Sequence, residues 1–383
     1  MKKKLLRITT VPISLKILLK DQLYFMSREF EVIGVSSAGK ELQDVEKDEE
    51  IRTIVLEMTR EITPFKDMLS LVKMVFLLLK ERPQIVHTHT PKAGIVGMVA
   101  AWICRVPYRL HTVAGLPVME AVGKKRELLL FIERLTYACA TKIYPNSKGL
   151  EEYILQNSLT TQEKLKVIGY GSSNGIDTDY FSKSEEVLQV SQNIEKDLAL
   201  EDKFTFCFVG RVVKDKGIDE LLYAFNALTK EYDDIALLIV GGFEEKLDPI
   251  AQESQKILQT NSSIYHVGFV NDIRPYLAMS NLFVLPTYRE GFPNVVLQAS
   301  AMGLASIVTN INGCNEIIKN EYNGLLVEPK DKEALLSAMK VFLHNRDLAA
   351  TLSLNSRSDI MQKYERKVFH NYLLDEYKDI LNA

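Results

Sequence analysis

The sequence has few of the features that stabilise small secreted or metal-dependent domains. Only four cysteines occur among 383 residues, Cys104, Cys139, Cys207 and Cys314, and no two of them form a C-x-x-C pair. This spacing excludes a disulfide scaffold and a zinc ribbon, and it is typical of reduced thiols in a cytosolic protein. The longest uncharged apolar run covers residues 93–104, which is too short to span a bilayer as a helix.

The chain also lacks a large excess of charge of either sign. It has 47 Lys and Arg against 50 Asp and Glu, a net charge of −3, whereas nucleic-acid-binding proteins are usually strongly basic. Arg7 and Thr9 interrupt the apolar stretch that follows the basic N-terminal residues, so we expect no signal peptide. A composition of 46% hydrophobic and 25% charged residues is that of a globular protein. We therefore expect a cytoplasmic protein without a nucleic-acid partner.

Short apolar segments alternate with longer amphipathic ones, as they do in parallel α/β proteins. The predicted strands are Leu5–Thr9, Glu31–Val35, Ile85–His89, Tyr108–Thr112, Lys142–Pro145, Phe204–Val209, Ala236–Val240, Ile264–Val267, Leu282–Pro286, Ser306–Thr309 and Leu325–Val327. The charged, polar stretch Ser182–Lys203 is interpreted as an interdomain connection. We expect two Rossmann-like domains, residues 1–198 and 199–383, that face a central cleft.

Helical periodicity predicts five helices, and the first two of them have notable apolar faces. The predicted helices are Pro64–Lys80, Arg126–Ala140, Ile218–Leu228, Asn294–Met302 and Lys332–His344. The apolar stripe of the first helix consists of Phe65, Met68, Leu69, Leu71, Val72, Val75 and Phe76. The second helix begins with Lys124, Lys125 and Arg126, and cations beside an apolar face suit an anionic bilayer surface. A core-packed helix with a basic first turn explains the same pattern, and both interpretations stay open.

One strand end carries two cations in a short loop. The segment Phe208–Gly217 contains the strand end, then Gly210, Arg211 and Lys216, and a helix begins near Ile218. Cations at the carboxyl end of a parallel strand, beside a helix N-terminus, bind phosphate groups. The segment therefore predicts a phosphate site, and a solvated loop with surface cations is the alternative.

A second strand end carries an acid in front of another helix. The segment Tyr288–Ala299 contains Glu290, and the helix predicted from Asn294 places Gln298 about one turn inside it. The N–H groups of the first helical turn have no partner within the helix. The pattern predicts polar groups for a sugar and a ribose, and an ordinary capped helix is the alternative.

Together the two segments resemble glycosyltransferase family 4, whose members have the GT-B fold. The first matches the family's G-R-x-x-x-x-K-G motif, and the second matches the E-G-F-P-N form of its E-x7-E motif. Further matching pieces are Gly241-Gly242, Val267–Val270, Asn174–Phe181, Pro83–His89 and Arg109–Thr112. Pro91–Gly94 and Glu290–Ala301 resemble bacterial transferases of capsule, exopolysaccharide and O-antigen synthesis. The resemblance also implies a C-terminal helix that returns to the first domain.

The resemblance implies a retaining transferase. Such an enzyme moves a hexose or N-acetylhexosamine from a nucleotide-diphosphate sugar, UDP-linked, to a lipid-linked saccharide acceptor in surface polysaccharide synthesis. It implies no cofactor besides the donor and no metal, since Arg211 and Lys216 can neutralise the leaving diphosphate. An acceptor of this kind implies peripheral contact with the inner membrane surface.

The resemblance also assigns roles to residues. The implied catalytic residues are Glu290 and His111, which contact the donor sugar or its phosphate, and the cations Arg211 and Lys216. The implied substrate-binding residues are Ser14, Gly210, Arg211, Lys216, Gly241, Phe269, Glu290, Gly291, Phe292, Pro293, Asn294 and Gln298. Gln298 replaces the second glutamate of the family motif and keeps an acceptor oxygen for a ribose. Thr10–Leu15 replaces a Gly-rich loop, which leaves Ser14 or Thr10 to bind the diphosphate.

Two other functions fit parts of the pattern. A GT-B sugar-nucleotide epimerase would need acid and base carboxylates in the cleft and would use no acceptor. A catalytically silent GT-B partner subunit is favoured by Gln298 alone. His87 and His89 share a strand face, as metal-ligand pairs do, but no third ligand has a suitable spacing, so no metal site is predicted.

Overall fold

The computed structural model describes residues 2–59, 61, 63–119, 121–244 and 248–382. The chain divides into two compact units. Unit 1 consists of residues 1–175 and 367–383, and unit 2 consists of residues 176–366. Each unit contains one parallel six-stranded sheet with helices, which confirms the predicted α/β class.

The sheet of unit 1 reverses its strand order at its centre. Its strands are β1 (Lys4–Ile8), β2 (Glu31–Ser36), β3 (Arg52–Val55), β4 (Ile85–His89), β5 (Tyr108–Val113) and β6 (Lys142–Pro145). Its helices include α1 (Pro12–Leu18), α2 (Gln22–Ser27), α3 (Lys40–Asp48), α4 (Pro64–Glu81), α5 (Pro91–Ile103), α6 (Gly123–Cys139) and α7 (Lys148–Gln156). The spatial order β3-β2-β1-β4-β5-β6 places the reversal between β1 and β4.

The sheet of unit 2 has the same kind of reversal. Its strands are β7 (Phe204–Val209), β8 (Ile235–Val240), β9 (Ile264–Gly268), β10 (Leu282–Leu285), β11 (Ala305–Thr309) and β12 (Gly324–Val327). Its helices are α8 (Glu185–Asp197), α9 (Ile218–Leu228), α10 (Gln252–Thr260), α11 (Arg274–Ala278), α12 (Asn294–Ala301), α13 (Cys314–Ile317), α14 (Lys332–His344) and α15 (Arg346–Lys363). The order β12-β11-β10-β7-β8-β9 makes β7 and β10 neighbours. Such a reversal opens a crevice for ligands at the carboxyl ends of the strands.

The last helix, α16 (Arg366–Asn382), belongs to unit 1 from Lys367 onward. Its apolar residues Phe369, Leu373 and Tyr377 are buried in the same cluster as Leu5 of β1. The predicted return of the C-terminal helix to the first domain is thereby confirmed.

The predicted domain boundary at residues 198 and 199 is wrong. The stretch interpreted as a connection forms α8, which packs against α11 inside unit 2. Unit 2 starts at Ile176, whose backbone N–H donates to the Tyr364 carbonyl and whose carbonyl accepts from the Arg366 N–H. The polar composition of α8 reflects an exposed helix and not a linker.

The helix predicted over Pro64–Lys80 exists as α4, but most of its apolar stripe faces solvent. Of the seven predicted stripe residues, five are exposed: Phe65, Met68, Leu69, Val72 and Phe76. The buried residues of α4 are instead Ser70, Met74, Leu78 and Glu81. Periodicity finds the helix but cannot tell which of two apolar sectors packs on the sheet.

The core of unit 1 contains a buried polar network. The fully buried Arg7 donates to His89 Nε2 from its Nε at 3.2 Å and also contacts the Gln22 side chain. His87 lies 2.6 Å from the Tyr377 hydroxyl and 2.8 Å from Thr112 Oγ1. Burial lowers the pKa of both imidazoles well below the usual 6.5, and the charge of Arg7 adds to this shift. The two histidines are therefore neutral structural groups.

We expect the free energy of unfolding to fall as the pH drops from about 6.5 towards 4. Burial lowers the pKa of His87 and His89 well below 6.5 and that of His111 to about 4. In this pH window these three histidines therefore take up protons only when the protein unfolds. His111 alone accounts for roughly 3 kcal/mol. Glu133 offsets part of the loss, because burial raises its pKa to about 7 and it binds a proton in the folded state.

Urea denaturation across this pH range measures the effect. His111→Gln should reduce the slope of unfolding free energy against pH, because glutamine does not titrate. The wild-type protein, measured in the same buffers, is the reference for this variant. A stability that does not vary between pH 6.5 and 4.5 would contradict this interpretation.

Candidate active site in unit 2

The two segments singled out in the sequence follow the two neighbouring strands at the reversal of the unit 2 sheet. Arg211 and Lys216 lie between β7 and α9, and Glu290 lies between β10 and α12. Since β7 and β10 pair in parallel, their carboxyl ends lie side by side. The chain thereby brings the predicted cations and the predicted acid to one edge of the sheet.

An ion pair joins the two loops. Lys216 Nζ donates to Glu290 Oε1 at 2.6 Å, and each side chain is only 17% exposed. Lys216 ends a short 3-10 turn, Lys214–Lys216, immediately before α9. An ammonium group has three N–H donors, so the contact with Glu290 leaves capacity for a further acceptor.

Arg211 is also ion-paired, but in a more open position. Its Nη1 donates to Glu244 Oε2 at 2.7 Å, and the side chains of Arg211 and Glu244 are 48% and 38% exposed. The hydrogen bond to Glu244 raises the pKa of the guanidinium further above its usual value. Solvent weakens an exposed ion pair of this kind, so a phosphate can replace Glu244 as the partner of Arg211 at little cost.

The helix N-terminus that can bind an anion is that of α12. Within the residues that the structure describes, the backbone N–H groups of Gly291, Phe292, Asn294 and Val295 donate no hydrogen bond. The first turn of α12 carries no acid. The first turn of α9 carries Asp219 and Glu220, whose charges already complement the helix dipole. The sequence placed the two cations in front of α9 and free N–H groups at the start of α12. Within the described residues the first-turn N–H groups of α9 donate no hydrogen bond either, so the absence of acids in its first turn is what favours α12.

Gly241 allows the loops after β7 and β8 to touch through their backbones. A Cβ atom at Gly241, whose φ is +146°, would come within 1.8 Å of the Gly210 carbonyl oxygen. The loops continue to pair beyond the strands, because the Val212 N–H donates to the Gly242 carbonyl at 2.9 Å. Because a Cβ would not fit there, Gly241 permits the close backbone contact that positions the loop carrying Arg211.

The other predicted residues of unit 2 differ in what they expose. Phe269, after β9, is 80% exposed, whereas the Phe292 ring is 8% exposed and packs on Tyr364 with ring centroids 5.5 Å apart. Phe292 can therefore offer only its backbone N–H, and Pro293 has none. Gln298 is half-buried in the second turn of α12, and its ribose contact stays a prediction.

Sequence reasoning missed two residues that hold the loops in place. The Asn312 side chain donates to the Glu290 and Gly291 carbonyls, each at 2.9 Å. The Asp215 carboxylate accepts from Arg289 Nη2 at 2.6 Å, which ties the β7 loop to the β10 loop a second time. Asn312 follows β11, the next strand in the sheet, and this position at a third strand end was the available signal.

His111, in unit 1, does not occupy the position expected of a donor-binding residue. It lies within β5, is 2% exposed, and has its Nδ1 2.8 Å from Thr88 Oγ1. A Cβ at Gly94 of α5 would lie 2.6 Å from the imidazole Cε1, so α5 covers the ring. The structure contradicts the predicted contact with a donor, because the side chain is enclosed within unit 1.

The first loop of unit 1 uses its threonine internally. Thr10 Oγ1 lies 2.8 Å from Thr90 Oγ1 and accepts from the Ala93 N–H, which joins the loops after β1 and β4. Thr10 is therefore engaged at the strand reversal of unit 1. Ser14 is half-buried in α1, and its contact with a diphosphate stays a prediction.

Comparisons with known proteins show the family of the chain. Residues 190–359 match the family model described as glycosyl transferases group 1, and residues 25–171 match the glycosyl transferase 4-like domain. The chain is 33% identical to the capsular polysaccharide biosynthesis glycosyltransferase CapM of Staphylococcus aureus, over 99% of this chain and 97% of that protein.

Two further relatives extend the comparison. An Escherichia coli protein named UDP-Gal:alpha-D-GlcNAc-diphosphoundecaprenol alpha-1,3-galactosyltransferase is 28% identical over 93% of this chain and 90% of its own. The crystal structure of Anabaena HepE in complex with UDP has a TM-score of 0.81 at 18% identity and covers 99% of this chain and 100% of that one. At this identity the structural likeness shows the fold.

The fold, the paired strand-end loops and these matches define a glycosyltransferase with the GT-B fold. The chain belongs to glycosyltransferase family 4.

We expect Gly241→Ala to destabilise unit 2 by about 1–3 kcal/mol, the usual cost of forcing atoms into a closed space. Because the β7 loop must move away, donor binding should weaken as well. Gly242→Ala is the matched control, since a Cβ at Gly242 meets no atom within 4 Å. Urea unfolding and a donor-binding titration measure both effects, and equal behaviour of the two variants would refute the role given to Gly241.

Proposed function

We propose that the enzyme transfers a hexose or N-acetylhexosamine from a UDP-linked sugar to a lipid-linked saccharide in surface polysaccharide synthesis, with retention of the anomeric configuration. The observation that carries the donor part is the Lys216–Glu290 ion pair across the β7–β10 strand ends. The E. coli relative, whose name includes UDP-Gal and diphosphoundecaprenol, supports the choice of donor and acceptor. The S. aureus relative supports the polysaccharide pathway.

The donor diphosphate would interact with Lys216, Arg211 and the unpaired N–H groups at the start of α12. Lys216 can keep Glu290 as a partner while it donates to a phosphate oxygen. As the bond from the anomeric carbon to the diphosphate breaks, negative charge grows on the leaving oxygen. Fixed donors aimed at that charge stabilise the transition state without further reorganisation.

Glu290 would face the sugar, where positive charge develops as the leaving group departs. Its carboxylate accepts hydrogen bonds from sugar hydroxyls, and its charge opposes the growing charge on the ring. Gln298 would hold the ribose with a neutral amide, which can both donate and accept. The exposed Phe269 ring offers an apolar surface on which a nucleobase can stack.

We expect Lys216→Ala to lower kcat by about 100- to 1000-fold, as the loss of one donor to a developing oxyanion does. Arg211→Ala should have a smaller effect, because the Arg211 side chain is 48% exposed. Lys214→Ala is the matched control, since Lys214 lies exposed in the same turn and should change turnover by less than about twofold.

Glu290→Gln belongs to the same kinetic series and should reduce kcat, whereas Gln298→Ala should mainly raise the donor KM. Steady-state rates of UDP release, with circular dichroism to verify folding, separate these outcomes. Turnover in folded Lys216→Ala equal to that of the wild-type enzyme would exclude the proposed role of the cation.

We expect transfer to continue in excess EDTA, since the proposed leaving-group contacts are all protein groups. The purified chain is incubated with a panel of UDP-sugars and a diphosphate-linked lipid acceptor, and the product is analysed by NMR. An α linkage formed from an α-linked donor is expected. Activity that is lost in EDTA and restored by manganese would contradict the metal-independent mechanism.

The same incubation distinguishes the alternative functions. An epimerase would convert the donor sugar without an acceptor and without releasing UDP. A silent subunit would do neither, and Gln298→Glu would then be expected to create donor hydrolysis. Either result would overturn the proposed transfer.

A further inference from the structure

The exposed apolar side chains of α4 form one continuous stripe. They are Phe65, Met68, Leu69, Val72, Phe76 and Leu79, which are between 43% and 94% exposed. At about 100° per residue they fall within a sector about 100° wide. The sector lies opposite the buried residues Met74 and Leu78. The stripe therefore contributes nothing to the core of unit 1.

The two neighbouring helices extend this apolar surface. α5 packs against both α4 and α6, and its C-terminal end exposes Trp102 and Ile103. α6 exposes Leu128, Phe131 and Leu135, with Phe131 at 63%. We call the α4 stripe and these five residues the outer face. Many exposed apolar side chains on helices that pack side by side usually mark an interaction site.

The charges beside the stripe are all of one sign. Lys66, Lys73 and Lys80 are exposed on α4 at seven-residue spacing, so they form a row along one side of the stripe. In the described part of the chain, none of the three has a carboxylate within ion-pair distance. The acids of α4 are already paired, Asp67 with Lys92 and Glu81 with cations outside the helix.

This row of lysines argues against a second copy of the chain as the occupant. If two α4 helices packed antiparallel through their stripes, Lys73 would face Lys73 of the other copy, and Lys66 would face Lys80. If they packed parallel, each lysine would face Met68 or Val75, with no acid to pair with. Like charges across a helix seam are destabilising, whereas an anionic surface complements the row.

We propose that the outer face docks unit 1 on an anionic phospholipid bilayer, with the apolar side chains among the acyl chains and the lysines at the headgroups. A helix with an apolar sector flanked by lysines lies in the membrane interface in this way, and a tryptophan suits the same depth. No helix in the described residues is long and apolar enough to cross a membrane. The docking would hold the enzyme beside the lipid-linked acceptor, and in this respect alone it rests on the proposed function.

Trp102 allows docking to be observed directly, because it is the single tryptophan of the chain. The whole protein is mixed with vesicles of phosphatidylcholine alone or with about one third phosphatidylglycerol. We expect co-sedimentation and a blue-shifted emission only with the anionic vesicles, and quenching by brominated lipids. High salt should weaken the binding, because the lysine contribution is electrostatic.

Two variants of exposed positions test the surface without touching the core. Phe65→Ser with Phe76→Ser should abolish binding, and charge reversal of Lys66, Lys73 and Lys80 to Glu should weaken it by about tenfold or more. The control for the apolar change is Leu354→Ser, at a position of α15 that is 77% exposed. The control for charge is reversal of the exposed Lys230, Lys256 and Lys378, which changes net charge equally and should leave binding intact.

The outcomes separate docking from the proposed activity. Vesicle binding needs neither donor nor acceptor, and donor hydrolysis in solution needs no vesicle, so each can fail alone. Failure of the wild-type protein to bind anionic vesicles would overturn the docking proposal. So would a dimer in solution that Phe65→Ser with Phe76→Ser dissociates, because a second copy would then cover the outer face. Equal weakening by the control charge reversal would show that net charge, and not this face, drives binding.

Discussion

The ion pair between Lys216 and Glu290 is the contact on which the arrangement of unit 2 depends. It can form only because β7 and β10, far apart in sequence, are neighbours at the reversal of strand order. Asn312 holds the backbone on which Glu290 sits, and Gly241 holds the loop that precedes Lys216. The cation thus reaches this edge from one chain segment, the acid and the unpaired N–H groups of α12 from a second, and Asn312 from a third. In a parallel sheet the loops that follow neighbouring strands lie together at the carboxyl ends of the strands, so short loops are enough to bring these groups into contact.

The sequence was sufficient to predict that Arg211, Lys216 and Glu290 follow strand ends of unit 2, because these residues belong to two short segments. The positions of Arg211, Lys216 and Glu290 follow from where strands end, and strand ends are marked by glycine and polar residues. The free N–H groups at the start of α12 were predicted as well, because the first turn of any helix leaves its N–H groups without a partner inside the helix. Within the described residues the first turns of both helices keep unpaired N–H groups, and the acids Asp219 and Glu220 are what distinguish α9 from α12.

His111 and α8 show where prediction from the neighbouring residues of the sequence fails. His111 has the residue type expected at an active site, but its exposure is set by α5, which lies over it at Gly94. The residues next to His111 in the sequence give no indication of that contact. In α8 the polar composition matched a linker, although Val187 and Ser191 are buried within unit 2. Burial by a distant segment is a property of tertiary structure, and this explains the error in the domain boundary.

In helix α4 the residues that contact the rest of unit 1 and the residues that face solvent lie on opposite sides. Met74 and Leu78 are buried against the sheet, the Ser70 hydroxyl donates to the Glu57 carbonyl, and Glu81 forms ion pairs with Lys4 and Arg52. Because these contacts fix the helix, the aromatic and β-branched residues on the opposite side add little to stability. Their intrinsic helix propensity is below that of lysine or glutamate, so a purely structural surface would have no reason to favour them. An apolar sector that the fold does not require indicates a partner outside the chain, and the unpaired lysines beside it make that partner anionic.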